Sequence, residues 1–508
     1  MPRKQLLPVK NRTLLLRTVA EVMRPAYHAF LSSWSIPPAA TFAIVFWAVV
    51  YLRGWRFLRH AGVAFFPGWR MVAFFGGLGS LWVALASPLD VFNGFLLTAH
   101  MLQHMILMMF SPPLILLGAP LIPIMRGLPR FAAREFAGPL LNWPVAKRVG
   151  SLVVNPIIAS LLMGITMFAW HTPRVYELAL RSSSWHQFEH GCFFFTALVF
   201  WWPVVQPWPS GGQWPRWAMI PYLLVADLQN TALSAILAFS DRLLYSSYSV
   251  TPRLFGLSAL EDQVAAGAIM WVAGSLAFVV PAVIIVVQCL SRKPLPDQIS
   301  HRSTGGSLAQ EISAELSQIW RDRRLLPVRT DKTRLNAISA AVLCLATGLC
   351  WAWLASASAD GDDLSLRMSR QADNLDVAVF TAPGDSFSRS SEFAILVQDR
   401  DSREALLDAE IQLTAHSIDH PAISSAVAAT HQDSENKLLQ SAALNLPTPG
   451  KWLLDISVRR GLQSADLFLP LNVVNHENRT QNRWPYLIIV LAFVVILIFV
   501  YLPSLHSH

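Results

Sequence analysis

Residues 100–123 read HMLQHMILMMFSPPLILLGAPLIP. The stretch is apolar and long enough to cross a bilayer, yet it opens on two histidines four residues apart. At roughly 100° per helical residue, His100 and His104 share one face, about one turn apart. Ionisable side chains inside a span are costly to insert and mark functional sites by default. The spacing recurs in WHQFEHGCFFF, residues 185–195, which carries His186 and His190. A single histidine, His171, ends another apolar run at FAWHTP, residues 168–173. Histidine therefore meets a membrane edge in three places.

Working outward, the whole chain has the composition of a membrane protein. Of 508 residues, 53% are hydrophobic and 14% charged, with a mean hydropathy of +0.41, whereas a soluble domain carries about 25% charge. The expectation is an integral protein with many spans rather than one soluble core. The formal charge of +8 then reports loop topology and gives no ground for a nucleic-acid partner. Residues 1–24 are basic and weakly apolar, without the short apolar core and small-residue site of a cleaved signal. Cys192, Cys289, Cys344 and Cys350 all fall in apolar runs and form no CxxC pair, so they read as small buried hydrophobes.

Hydropathy predicts about nine spans, near 38–53, 69–86, 96–118, 152–171, 187–205, 217–239, 264–289, 335–356 and 485–503. Pro112-Pro113 predicts a break in the third, leaving the half beyond it as a separate short helix. The chain then divides into a basic N-terminal segment (1–37), a seven-span domain (38–290), a polar linker (291–334), an eighth span (335–356), a segment of different character (357–484), and a ninth span with its tail (485–508). In 357–484, runs such as LDVAVFTAP, EFAILVQD, AEIQLTAH, KWLLDISV and DLFLPLNV are short, rich in β-formers and separated by turn residues. They predict a small antiparallel β-sandwich, with Pro449-Gly450 as the turn into one strand.

Basic residues set the orientation. Arg53, Arg56, Arg59 and Arg70 follow the first span; Arg126, Arg130, Arg134, Lys147 and Arg148 follow the third; nine more lie in 291–334. These loops share a side by parity, which is the cytoplasmic one. The β-domain is then extracytoplasmic, tethered by a span at each end. The basic residues of 1–24 conflict with this parity. The same parity brings His100, His104, His171, His186 and His190 to one membrane depth at the outer edge. Asp262 and Gln263 precede the seventh span on that side, and Asp227 sits halfway along the sixth.

Such a set suits metal chemistry. Imidazole binds copper, zinc and haem iron, and an HxxxH pair offers two ligands from one helix face. Met101, Met105, Met108 and Met109 add soft thioethers suited to Cu(I). Glu189 and Asp262 could orient an imidazole through its second nitrogen. Each position also has a plain structural reading: packing for the methionines, helix pairing for Asp227, interfacial hydrogen bonding for His171. His416, His420 and His431 read as solvated loop residues.

In order, HMLQHMILMMFSPPLILLGAP, AWHTPRVYELAL, WHQFEHGCFFFTALVFWWPVV, DLQNTALSAIL and LEDQVAAGAIMWV resemble the seven-span CtaG family of cytochrome c oxidase assembly factors, over roughly 38–290. The resemblance implies a protein of the bacterial inner membrane, in contact with lipid and with oxidase subunits; with no nucleophile–base set, phosphate loop or cofactor fingerprint in the sequence, the expectation is a protein that is not an enzyme. Copper delivery is the usual inference for the family, and copper handled outside the membrane makes a periplasmic copper chaperone a further expected partner. His100, His104, His171, His186, His190, Asp227, Asp262 and Gln263 fall on its polar positions. The PTPGKWLLDISV segment is similar to FixH and YtkA-like β-domains linked to oxidase assembly. Two rival readings remain open: a membrane haem protein for electron transfer, and a transporter of copper or another small solute with Asp227 on its path.

Overall fold

The computed structural model describes residues 25–61, 65–129, 154–207, 214–291, 365–381, 390–432 and 434–474, with single positions at 144, 148, 150 and 387. The linker at 291–334 beyond its first residue, both predicted terminal spans, and the conflicting residues 1–24 lie outside this set.

Among the described residues, six helical stretches are long and apolar enough to cross a membrane. They are α1 (Pro38–His60), α2 (Gly68–Ala86, running on as one turn to Val91), the compound span Leu97–Leu117, α8 (Ser183–Val205), α9 (Met219–Phe239) and α10 (Ala259–Leu290). A seventh apolar helix, α6 (Pro156–Trp170), has only 15 residues. Between them lie α5 (Leu121–Gly127) and the amphipathic α7 (Pro173–Leu180). Helix α1 runs seven residues past its predicted end, so Arg53, Arg56 and Arg59 are helical rather than loop residues. Their long stems can lie along the helix while the guanidinium reaches out. Asp262 and Gln263 are likewise inside the first turn of α10 instead of preceding it.

The compound span shows what two prolines do. Helix α3 (Leu97–Met105) passes through a π-helical turn (Ile106–Phe110) into α4 (Ser111–Leu117). Pro112 and Pro113 have no N–H to give to the carbonyls of Met108 and Met109. The freed Met108 carbonyl instead accepts the Trp201 indole N–H of α8 at 2.9 Å. The far half is thus a separate short helix, as the prolines predict. Helices α1 and α5 cross closely: a Cβ on Gly54 would lie 1.7 Å from the Pro123 carbonyl oxygen, so only glycine fits there.

Residues 365–473 form two four-stranded antiparallel sheets, ordered β1-β2-β3-β6 and β5-β4-β7-β8. The strands are β1 (Ser365–Ala372), β2 (Leu375–Thr381), β3 (Ser390–Asp399), β4 (Glu410–Ser417), β5 (Ser424–Ala428), β6 (Gln440–Asn445), β7 (Gly450–Arg460) and β8 (Gln463–Val473). Gly450 opens β7 at φ +129°, a backbone conformation that other residues rarely adopt. Strand β7 alternates in the manner of a half-buried strand and sends Trp452, Leu454, Ile456 and Val458 into the sandwich.

Strand β2 does not alternate: all seven residues are buried. Leu375, Val377 and Val379 face the sandwich core, as do Phe393, Ile395 and Val397 of β3. Their neighbours Ala378, Phe380, Ala394 and Leu396 pack instead against Ala29, Phe92, Leu96, Ala99 and Leu254 of the helical part. The rings of Phe95 and Phe380 lie 5.4 Å apart. Gln398 Nε2 donates to the Arg253 carbonyl at 2.7 Å, and the Lys437 amide to Ser33 Oγ at 2.9 Å. The sandwich therefore sits directly on the segment that leads into α3.

Candidate metal centre

Helix α3 presents His100 and His104 with ring centres 4.3 Å apart, and α8 presents His186 and His190 at 4.1 Å. One-turn spacing produces both pairs, and helix packing sets them face to face. His100 lies 5.1 Å from His186, and His104 lies 5.3 Å from His190. His171, at the C-terminal cap of α6, stands 6.3 Å from His104. All five rings thus meet in one place. Four are buried and His186 is half-buried.

Hydrogen bonding sorts these rings. His171 Nδ1 lies 2.7 Å from the Met167 carbonyl, an acceptor only, so Nδ1 carries the proton and Nε2 keeps its lone pair. A carbonyl holding the rear nitrogen is how metal-bound imidazoles are commonly oriented. Neither ring nitrogen of His100 or of His104 has a hydrogen-bond partner, nor has Nε2 of His171 or His186. Glu189 is fully buried among them. Its Oε2 lies 3.7 Å from His100 Nε2 and its Oε1 3.8 Å from His104 Nε2, too long for hydrogen bonds. Buried polar atoms are normally paired. A set of orphan nitrogens and carboxylate oxygens facing one another has the chemistry of a ligand shell. Ligand atoms of His100, His104 and His190 lie within 4.8 Å of one another, as do those of His100, His186 and Glu189. Atoms bound to one ion at ~2 Å can be at most about 4 Å apart, so a small inward rotation completes either set.

The other residues singled out in the sequence do different work. Asp262 orients no imidazole. Its carboxylate accepts the Leu97 and Thr98 amides at 2.7 and 3.1 Å, capping α3, whose own cap residue Leu96 has no side-chain acceptor. A negative group at a helix N-terminus meets unpaired N–H groups and the positive end of the dipole. Gln263 ties down the following loop: its Oε1 accepts the Leu244 amide, and its Nε2 donates to the Leu237 and Arg242 carbonyls. Asp227 accepts Ser275 Oγ at 2.7 Å, joining α9 to α10. Met101, Met105, Met108 and Met109 are buried in the apolar core, which Met163 and Met167 of α6 share.

Three tyrosines were not singled out by sequence pattern and surround the cluster. Tyr176 on α7 lies 5.0 Å from His100 and stacks on Tyr245 at 4.0 Å. Tyr245 donates to the His171 carbonyl at 3.1 Å. Tyr248 donates to the Asn93 carbonyl at 2.6 Å, so in its 2.9 Å contact with Tyr176 it accepts. Glu177 holds this layer by accepting the Ser246 amide at 2.7 Å and the Ser246 hydroxyl. Those bonds, the hydroxyl's foremost, keep its carboxyl below the usual carboxylate range.

The fold and the cluster define a polytopic helical membrane protein, with a buried histidine–carboxylate pocket at the end of the bundle on which a β-sandwich sits. Residues 49–292 match the family model for the cytochrome c oxidase caa3 assembly factor (Caa3_CtaG). The same part is similar to an uncharacterised protein of Mycobacterium leprae, 24% identical over 267 residues, covering 52% of this chain and 40% of that protein. Uncharacterised proteins of Mycobacterium bovis and Mycobacterium tuberculosis are each 24% identical over 271 residues, with the same coverage. The chain thus spans about 40% of the length of these relatives.

Proposed function

We propose that the protein serves the assembly of a haem–copper cytochrome c oxidase by holding copper, as Cu(I), in the histidine cluster and passing it on. The observation that supports this most is the convergence of five imidazoles and one carboxylate from three helices into a pocket where His100, His104 and Glu189 have no hydrogen-bond partner. A structural role would pair these atoms. A transient ion site leaves them for the ion, and few exchangeable ligands favour release over permanent storage. Buried polar groups left unpaired are expensive to maintain, which argues that the ion is part of the working state. The family match over 49–292 supports an oxidase as the client. The facing rings of α3 and α8 stand 5.1 and 5.3 Å apart, a spacing that favours a bare ion over a haem wedged between them. The cytoplasmic membrane, with the sandwich on its outer side, is the setting in which this reading makes sense.

The test is the metal content of purified full-length protein. The wild type should retain Cu(I). A variant with His100, His104, His186 and His190 all changed to Ala should lose it, with no Soret band in either sample. Unchanged copper in the variant rejects the assignment.

A further inference from the structure

We propose that the cluster is two overlapping three-ligand positions for one soft monovalent cation, and that Glu189 is a ligand of one of them rather than a support for the histidines. This rests on the reading of the cluster as a metal centre. The first position is His100, His186 and Glu189; the second is His100, His104 and His190; His100 belongs to both. Helices α3 and α8 begin at Leu97 and Ser183 on the side where the sandwich sits. His100 and His186 are therefore one turn nearer that side than His104 and His190. His186 is also the one ring of the five that is half-buried. The Glu189 position is the entrance and the three-histidine position lies one turn, about 5.4 Å, further in.

Charge selects the cation. Both Glu189 oxygens are buried with no hydrogen-bond donor, an arrangement that calls for a proton or, once an ion is bound, a positive charge beside the carboxylate. Metal-bound imidazoles are neutral, so that charge is the ion's. A monovalent ion and Glu189 together make a neutral pocket, whereas a divalent ion leaves one net charge in a low-dielectric interior. Glu189 Oε1 also faces His104 Nε2 at 3.8 Å, so its charge stays close in either position. Movement inward is ligand exchange without redox change: the bonds to His186 and Glu189 break, those to His104 and His190 form, and His100 holds on throughout.

The experiment loads the full chain with Cu(I), and in parallel with redox-inert Ag(I), and follows transfer to the chelator bathocuproine disulfonate for Cu(I). Variants are Glu189→Gln, His186→Ala, His104→Ala, His190→Ala and His100→Ala, each checked for folding by its melting curve. The wild type should bind one ion per chain and keep it against equimolar Zn(II). His104→Ala and His190→Ala should weaken affinity about 10–100-fold, and His100→Ala at least as much. Glu189→Gln and His186→Ala should instead slow transfer about tenfold, while affinity changes by less than the loss of an inner ligand would cause. Two ions per chain at saturation, displacement by Zn(II), or wild-type transfer rates in Glu189→Gln would each overturn the two-position reading. Absence of Cu(I) and Ag(I) binding by the wild type overturns the metal centre itself, a different failure.

Discussion

Histidine is packed in two opposite ways in this protein. In the sandwich, each ring nitrogen of His431 meets a backbone carbonyl, Leu439 at 2.8 Å and Leu407 at 2.9 Å, and the ring stitches two loops together. In the helical bundle, His100 and His104 are more deeply buried, yet their ring nitrogens bond to nothing. The sandwich pairs other buried amides as well, although Asn436 Nδ2, Thr448 Oγ1 and Asp455 Oδ1 are buried there singly without a partner. Gln398 Nε2 donates to the Arg253 and Arg403 carbonyls, and Gln440 Nε2 to that of Ala409. Satisfied polar groups specify a structure. Unsatisfied ones, gathered in one pocket, specify a ligand. The comparison teaches that function in this fold is found where several unpaired groups face one another, since single ones such as Asn230 Oδ1 and Asp455 Oδ1 occur in both regions.

The largest expected effect separates the two regions. Trp452 is fully buried in the sandwich core, and its indole N–H donates to the Thr448 carbonyl at 3.0 Å. Trp452→Ala should cost about 3–5 kcal/mol. Thermal unfolding followed by proteolysis should show the sandwich opening first, with metal bound by the bundle unchanged. Simultaneous loss of both would mean that the two regions fold as one unit.

A second test uses the same substitution in both places and expects opposite signs. His431→Leu strands two carbonyls and should destabilise the sandwich by about 1–3 kcal/mol. His104→Leu replaces an unpaired buried imidazole by an apolar group of similar volume, so the metal-free protein should melt no lower and preferably higher. The same variant should lose its metal-induced gain in melting temperature. If His104→Leu destabilises the metal-free protein as much as His431→Leu does, the contrast between the regions collapses.

The parts legible in sequence were those governed by periodicity. One-turn spacing brought each histidine pair to one face, and parity of spans brought the pairs to one end, where the structure gathers all five rings. The five predicted apolar runs of the sandwich coincide with β2, β3, β4, β7 and β8. The three strands without such a run, β1, β5 and β6, are all sheet edges. An edge strand can borrow stability from one neighbour and need not be apolar itself, as SLRMSRQA and SSAVA are not. What pattern could not show was pairing over long separations. Asp262 caps a helix that begins 165 residues earlier in the chain. Tyr245 and Tyr248 come from a segment whose sequence has no helical or strand period, and Tyr176 owes its place beside His100 to the packing of α7 against it. His431 looked like a solvated loop residue because its two carbonyl partners come from other turns.

The smallest expected effect tests how that tyrosine layer is held. Glu177 accepts the Ser246 amide at 2.7 Å and pairs with Arg181 at 3.2 Å, so it joins α7, which carries Tyr176, to the loop that carries Tyr245 and Tyr248. Its pKa is lower folded than unfolded. The bond therefore contributes stability above the unfolded pKa, and that contribution is lost as pH falls through the folded one. Arg181 is largely exposed, so screening keeps the effect below about 1 kcal/mol. Glu177→Gln should speed hydrogen exchange at the Ser246 amide relative to wild type at pH 6. The difference should shrink as both proteins are taken below the wild-type carboxyl's titration, where the wild type too has lost its charge. Since Tyr245 donates to the backbone carbonyl of His171, a loosened loop should also raise the rate of metal release slightly, with affinity nearly unchanged. A difference in exchange that persists undiminished in acid would show that the layer is held by packing alone, and that Tyr176 keeps its place beside His100 without help from the carboxylate.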